Sequence, residues 1–426
     1  MRIGKKPIII MLATAALAVC QTALAAPIKK SDKINVDGIN YAVNAKSNKA
    51  RVIAGKNLYT GDLVIPEKIT EDSITYYVEA IDAGAFRDCA TLTSVTIPTT
   101  VTKIGSNAFY ACSGIESIAI PTSVTEIAAG LFEGCTALKE VTLHNGIRTI
   151  GTGAFKKCTA LEDITIPNGI KTLPANLFNS CTSLRYVNLP NTVERISSST
   201  FENCSSLEEI SLPNSVKYIG SDAFKKCVSL KTFTCTTSMS SIASSMFEGC
   251  SSLEEMKIAT NIKSISHDAF KGCASLDSIY IPNGVSDIGS SAFEDCSNLR
   301  IVNIPSSLKS IPSSIFRNCS NLEHIIIPNS IKSISGNSFR GCTSLRRIEI
   351  PNSVKEIGGD AFNGCSSLES VTMKSGIPPK IKKDSFSKAF IKDGMLYVPN
   401  ESPYTSDPKS PWAQFRNVRK IRDRRP

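Results

Sequence analysis

The sequence predicts a β-rich solenoid, a rod of stacked 23-residue coils, and three observations carry that prediction. A phenylalanine is followed three residues later by a cysteine thirteen times, from Phe86 and Cys89 to Phe362 and Cys365, always at a step of 23 residues. The rest of the unit keeps the same period, with Phe109, Cys112, Ile115, Ile118, Ile120, Pro121, Val124 and Ile127 in one copy and Phe201, Cys204, Leu207, Ile210, Leu212, Pro213, Val216 and Ile219 in another. No copy between Phe86 and Phe362 gains or loses a residue. A fixed period of this size marks one small unit that cannot bury its apolar side alone and stacks on copies of itself.

The elements follow in chain order. Arg2, Lys5 and Lys6 precede an apolar run over residues 8–19, and Ala23, Leu24 and Ala25 form a small-x-small site, which predicts an export signal over residues 1–25. The run is too short for a membrane span. Leu17, Ala18 and Val19 before Cys20 resemble a lipidation box, but bulky Val19 stands where a small residue is wanted, so lipid anchoring at Cys20 is not favoured. Residues 26–62 are expected to form an amino-terminal cap, 63–383 the repeat array, and 384–426 a carboxyl-terminal cap with a basic tail. Nine extra residues between Ile69 and Ile81 carry Tyr76 and Tyr77 and predict a hairpin that joins residues 34–53.

Within a coil, residues 210–212 alternate apolar, polar, apolar, the pattern of a strand buried on one face. Pro213 and Asn214 end it as a turn. A second extended run over 216–219 leads to Gly220, after which Ser221 or Asp222 is expected to cap one helical turn carrying Ala223, Phe224 and Cys227. The strand-ending proline is replaced by His144, Thr236, Ala259 and Lys374, where looser turns are expected.

Composition narrows the chemistry. The formal charge is +10 and, without Arg2, Lys5 and Lys6, +7. Arg416, Arg419, Lys420, Arg422, Arg424 and Arg425 crowd the carboxyl end, broken by Asp423, and are expected to form a solvated tail. Nucleic-acid binding would need stacking aromatics or a groove-reading element beside them, and neither is present. The chain has fifteen cysteines. Thirteen occupy one repeat position, an odd number whose Cβ vectors run parallel, whereas a disulfide needs Cβ atoms about 3.8 Å apart. They are expected to be buried, reduced thiols, as is Cys235, which takes a strand position held elsewhere by isoleucine or leucine. No C-x-x-C pair or cysteine–histidine cluster predicts a metal site, and no cofactor is expected. His144, His267 and His324 fall in different columns of the repeat and cannot share a site, and no nucleophile-elbow or P-loop pattern appears. The chain is therefore not expected to be an enzyme and offers no catalytic residue.

Specificity is expected on the outward strand positions. One outward column runs Ser94, Ser117, Glu140, Asp163, Tyr186, Glu209, Thr232, Glu255, Ser278, Ile301, His324, Arg347 and Ser370. The column beside it includes Thr142, Thr165, Tyr280, Asn303 and Ile326. Most positions are small, polar or acidic, but Tyr280, Ile301, His324 and Ile326 converge within three rungs as candidate ligand-binding residues. The alternative is that β-branched and aromatic residues stand there for strand propensity alone.

The repeat A-F-x-x-C-x-x-L-x-x-I-x-I-P-x-x-V-x-x-I-G, seen as A-F-K-K-C-V-S-L over residues 223–230, resembles the BspA-type leucine-rich repeat proteins exported by bacteria. Leu396, Tyr397, Val398 and Pro399, then Tyr404, Trp412 and Phe415, are similar to the closing pattern of that family. The resemblance implies a leucine-rich repeat array capped at both ends; Trp412, the only tryptophan, is expected to cover the apolar end of the rod, with ligand stacking the alternative. It also implies surface exposure, so the exported chain is expected at the cell surface, in the extracellular space or in the periplasm; no second apolar segment of membrane length follows the first, so no membrane span is expected in the mature chain. Adhesion to host matrix proteins or other cells is the function it implies. The alternative is a carbohydrate-binding or nutrient-capture component using Tyr186 and Tyr280 as sugar platforms, and a structural spacer is a third.

Overall fold

The computed structural model describes residues 33–382 and 384–421, so the expectations for residues 1–25, Cys20 included, and for Arg422, Arg424 and Arg425 lie outside the described residues. Most coils of the array contribute to three ladders of stacked, partly hydrogen-bonded segments. The front ladder runs from Gly61–Val64 and Leu92–Thr96 through rungs such as Ser117–Ala119 and Glu140–Thr142 to Ser370–Met373. Its strands are parallel and in register at the repeat, Glu140 opposite Ser117 and Val141 opposite Ile118. The middle residue of each rung is buried and its flanks face solvent. A second ladder of two-residue strands, Lys103–Ile104 to Lys380–Ile381, lies beyond the turn.

The third ladder departs from expectation. The segment predicted as one helical turn is a pair of tight turns, in which Lys225 N–H donates to Asp222 C=O at 3.1 Å and Cys227 N–H to Phe224 C=O at 3.1 Å. No helix forms because each coil places the residues two before and two after its phenylalanine in the left-handed region, as at Asp222 (φ 58°) and Lys226 (φ 58°). The turn is instead tied to the next coil, since Phe224 N–H donates to Met246 C=O at 3.0 Å. The turns lacking proline do not loosen at three of the four substituted positions. Ile147, Met239 and Ile262 donate to the carbonyls of His144, Thr236 and Ala259 at 3.1–3.3 Å, matching the 3.0 Å bond from Val216 to Pro213. Side chains help, as Gly146 N–H donates to His144 Nδ1 at 3.0 Å and Thr236 Oγ1 to Val216 C=O at 2.6 Å.

The core is a column of rings. From Phe86 to Phe386 successive phenylalanines stack with centroids 5.1–5.8 Å apart and planes within 25°. That spacing follows the inter-strand distance of about 4.8 Å and gives each ring two faces of contact. Beside it every ladder cysteine from Cys112 to Cys365 donates its thiol to the carbonyl of the preceding coil's phenylalanine at 3.0–3.2 Å. The repeat position thus requires a small apolar group that also carries a proton. All fourteen described cysteines are buried and free. Burial pushes the thiols up, to about 12 at Cys135 and Cys181 and about 11 at Cys235.

Flanking segments continue these surfaces. Strands β1 (Lys33–Val36), β2 (Ile39–Asn44) and β3 (Lys49–Val52) form an antiparallel meander joined to the hairpin of β5 (Lys68–Glu71) and β6 (Ile74–Ile81), where Tyr76 and Tyr77 lie; β4 (Gly61–Val64) opens the front ladder instead. Tyr59 meets Phe86 edge-on at 5.1 Å. At the other end Trp412 and Phe415 pack on Phe386, and Trp412 Nε1 donates to Pro379 C=O at 2.8 Å. Among the described residues no helix is long and apolar enough to cross a membrane.

Candidate functional site

The front ladder presents a flat, largely polar surface. Its outermost positions alternate in charge along the rod through Glu116, Lys139, Glu162, Arg185, Glu208 and Lys231, and again through Arg300, Glu323, Arg346 and Glu369. Several of these close on their neighbours, Lys139 to Glu116 and Lys231 to Glu208 at 2.9 Å, Arg346 to Glu369 at 3.6 Å. The hydrogen bond from Lys231 holds the Glu208 carboxyl below the usual range. Being exposed, these pairs do more for rung order than for stability. The alternation fails once, where Glu254 and Asp277 follow each other.

The front strands hydrogen-bond in short groups, mostly pairs, and two rungs beyond that break one of these pairs ends. In some coils the residue ending the buried stretch donates its N–H to a carbonyl of the next coil, Ile166 to Asn188 and Cys235 to Lys257, both at 3.0 Å. At the matching place Ile281 N–H donates to Asn303 Oδ1 at 2.7 Å, while Asn303 Nδ2 donates to Ile281 C=O at 2.8 Å. The side chain stands where a peptide group would, and pairing between these two rungs stops at Val302. The next segment, residues 323–327, forms no strand, and neither do residues 209–212, where a strand was expected over 210–212; among the described residues no backbone hydrogen bond ties either segment to a neighbouring rung.

Between the two rungs lies a groove of about 600 Å³, lined mainly by Ile301, Ile304, His324, Ile326 and Pro328, with Arg300 and Glu323 at one end. The groove brings together three of the four expected site residues. Ile301 and Ile326 are 67% and 84% exposed, high values for aliphatic side chains. Tyr280, 65% exposed, stands one coil toward the amino end outside the lining, separated from Ile326 in its column by Asn303. Tyr186 projects from the same face farther along and belongs to no common site with it. Asn303, Arg300 and Glu323 were not legible as site residues. The charge column was readable in sequence, since it repeats every 23 residues. Asn303 was not, because Asn188 occupies the same position and pairs ordinarily through its backbone. No group of three or more potential metal ligands occurs among the described residues.

Comparisons with known proteins agree on the architecture. The family described as BspA type leucine rich repeat region (6 copies) matches residues 66–185, 171–300 and 263–392. A leucine-rich repeat protein from Bacteroides ovatus is 31% identical, covering 82% of this chain and 99% of its own, with a TM-score of 0.67. A leucine rich cell surface protein from Faecalibacterium prausnitzii is 29% identical, covering 80% of this chain and 94% of its own, with a TM-score of 0.58. The pneumococcal vaccine antigen PcpA, 20% identical over 92% of this chain and 98% of its own with a TM-score of 0.54, shares the fold. No curated protein matches the chain.

Proposed function

The chain belongs to the BspA-type leucine-rich repeat family, and from that premise we propose that it is an exported surface protein that adheres to host matrix proteins or other cells through its front ladder. The observation that carries this reading is the exposed apolar group of Ile301 and Ile326, one coil from Tyr280, on a face where, Tyr186 apart, most other positions are small, polar or charged. Contiguous apolar side chains rimmed by polar ones are the arrangement in which protein partners find their anchors. The similar cell surface protein from Faecalibacterium prausnitzii supports the location. The uninterrupted repeat supports a binding surface over a catalytic one, since no insertion shapes a deep pocket on the array.

A carbohydrate-binding role is the second reading, favoured by the exposed rings of Tyr186 and Tyr280. Capture from host matrix proteins, mixed glycans and co-resident cell surfaces separates the two. Adhesion predicts a protein partner whose capture falls with Ile301→Ser and Ile326→Ser. Capture of glycans alone, weakened by Tyr186→Ala and Tyr280→Ala, supports the second reading.

A further inference from the structure

We propose that the second ladder binds a linear, densely anionic polysaccharide laid along the rod, on a face apart from the groove and without resting on the front-face reading above. The observation is a column of cations. From Arg148 to Lys355 the first outward position of this ladder carries Lys or Arg in seven of ten coils; Ser240 and Ser286 are neutral, and Glu194 is the one acid. The seven are all exposed, and Lys309, Lys332 and Lys355 follow one another in successive coils. Among the described residues only Lys217 is given to a carboxylate, that of Glu194 at 2.9 Å. The others stand on rungs about 4.8 Å apart, where like charges repel, so a bound anion relieves the column.

The charges around the column leave it positive. The second outward position adds Arg195, Asp287 and Glu356 over the same coils, so the two columns together hold five more cations than carboxylates. Glu126 and Lys380 lie one coil beyond either end. The turns on one side, from residues 144–146 to 351–353, carry no formal charge. On the other side the nearest carboxylates, Asp222, Asp268 and Asp360, face Lys225, Lys271 with His267, and Arg340 at 3.3–3.9 Å. Over these coils the outward positions of the front ladder hold three more carboxylates than cations, so the basic sign belongs to this face.

Shape and lining select the partner. The cations form a line one residue wide and nine rungs long, about 43 Å, which matches an extended polymer. The second column beside them is mostly Ser and Thr, and Tyr218 is its one exposed large apolar side chain. Hydroxyls suit the hydroxyls of a sugar chain, whereas a protein partner needs apolar anchors and a bilayer takes a broad basic patch or an inserted apolar side chain. Single-stranded nucleic acid needs successive rings to stack its bases; the stripe has one, and the Arg195 guanidinium covers a face of it at 4.0 Å.

The test is fluorescence anisotropy of a labelled heparin oligosaccharide with the full chain, heparin standing for the densely anionic class. Binding is expected, and it should weaken as salt is raised. Lys309→Gln with Lys332→Gln and Lys355→Gln should weaken it about tenfold or more, with an unchanged melting curve. Lys139→Gln with Lys231→Gln and Lys257→Gln removes the same charge from the front ladder and should leave affinity close to wild type. So should Arg416→Gln with Arg419→Gln and Lys420→Gln at the basic carboxyl end, and Ile301→Ser with Ile326→Ser in the groove. No heparin binding, or an equal loss from any of these three control sets, overturns the proposal. Single-stranded DNA, an acidic peptide or phosphatidylserine vesicles bound as tightly as heparin through the same three lysines would assign the stripe to another partner and overturn it too. Each of these results leaves the front-face reading to its own test, capture that depends on Ile301 and Ile326.

Discussion

Asn303 stands in for a piece of backbone: its side-chain amide both accepts from Ile281 N–H, at 2.7 Å, and donates to Ile281 C=O, at 2.8 Å. A rung of the solenoid is thereby satisfied without its successor closing on it in the usual way, and the groove opens immediately afterwards. Asn303→Ala removes both bonds, each worth about 1 kcal/mol net. We expect a loss of about 1–2 kcal/mol in chemical denaturation, together with faster hydrogen exchange at the Ile281 amide. Unchanged exchange at that amide would show that the side chain is not its partner.

Phe224 tests the ring column. It is fully buried, stacked on Phe201 at 5.3 Å and on Phe247 at 5.8 Å, and met edge-on by Phe233 at 5.3 Å. Phe224→Ala should cost about 3–5 kcal/mol. An unchanged denaturation curve would contradict its place in the core.

The cysteines make a prediction about reactivity. With fourteen described thiols free and buried, denaturation without reductant should release fourteen titratable groups from residues 33–421, while the native protein at pH 8 should expose almost none. Finding them largely bonded in intact mass spectrometry would overturn the reduced ladder.

Their titration sets the alkaline limit of stability. Burial raises these thiols from the ordinary 9.0 to about 12 at Cys135, Cys250, Cys296 and Cys365, so the folded state keeps protons that the unfolded state releases. The contribution is full below pH 9 and is lost as pH rises toward 12. Tm should therefore decline progressively across that window, and a flat profile would contradict the shared upward shift.

Ala111 (φ 55°) holds a left-handed backbone without a polar side chain to favour it. Ala111→Gly should stabilise the protein by up to about 1 kcal/mol, read as a higher Tm. A lower Tm would show that the methyl group contributes more through packing than the backbone strain costs.

The solenoid was legible because its signal is repeated: a 23-residue step with phenylalanine, cysteine and alternating aliphatics leaves one way to stack the coils. The predicted helical turn was a misreading of local propensity. Asn107, Asp222 and Asn337 before the phenylalanine, and Gly249, Gly341 and Gly364 after it, are residues suited to left-handed backbone, and that pattern argues for paired turns. The looseness expected at His144, Thr236 and Ala259 did not arise because the turn is held by its own backbone bond and by the coils on either side. At the candidate site, the exposed isoleucines stand out by residue type, whereas the side-chain bridge to Ile281 depends on which way one asparagine turns.

The most direct test of the binding face compares paired changes on it once a partner has been captured. Tyr280→Ala with Ile326→Ala alters the apolar group, and Thr142→Ala with Thr165→Ala alters exposed positions of the same column elsewhere. All four side chains point outward, so melting curves should coincide and any loss of affinity reports contact. The account predicts at least tenfold weaker binding, measured by interferometry, for the Tyr280 and Ile326 pair and wild-type affinity for the threonine pair. Equal affinity across both pairs would contradict it.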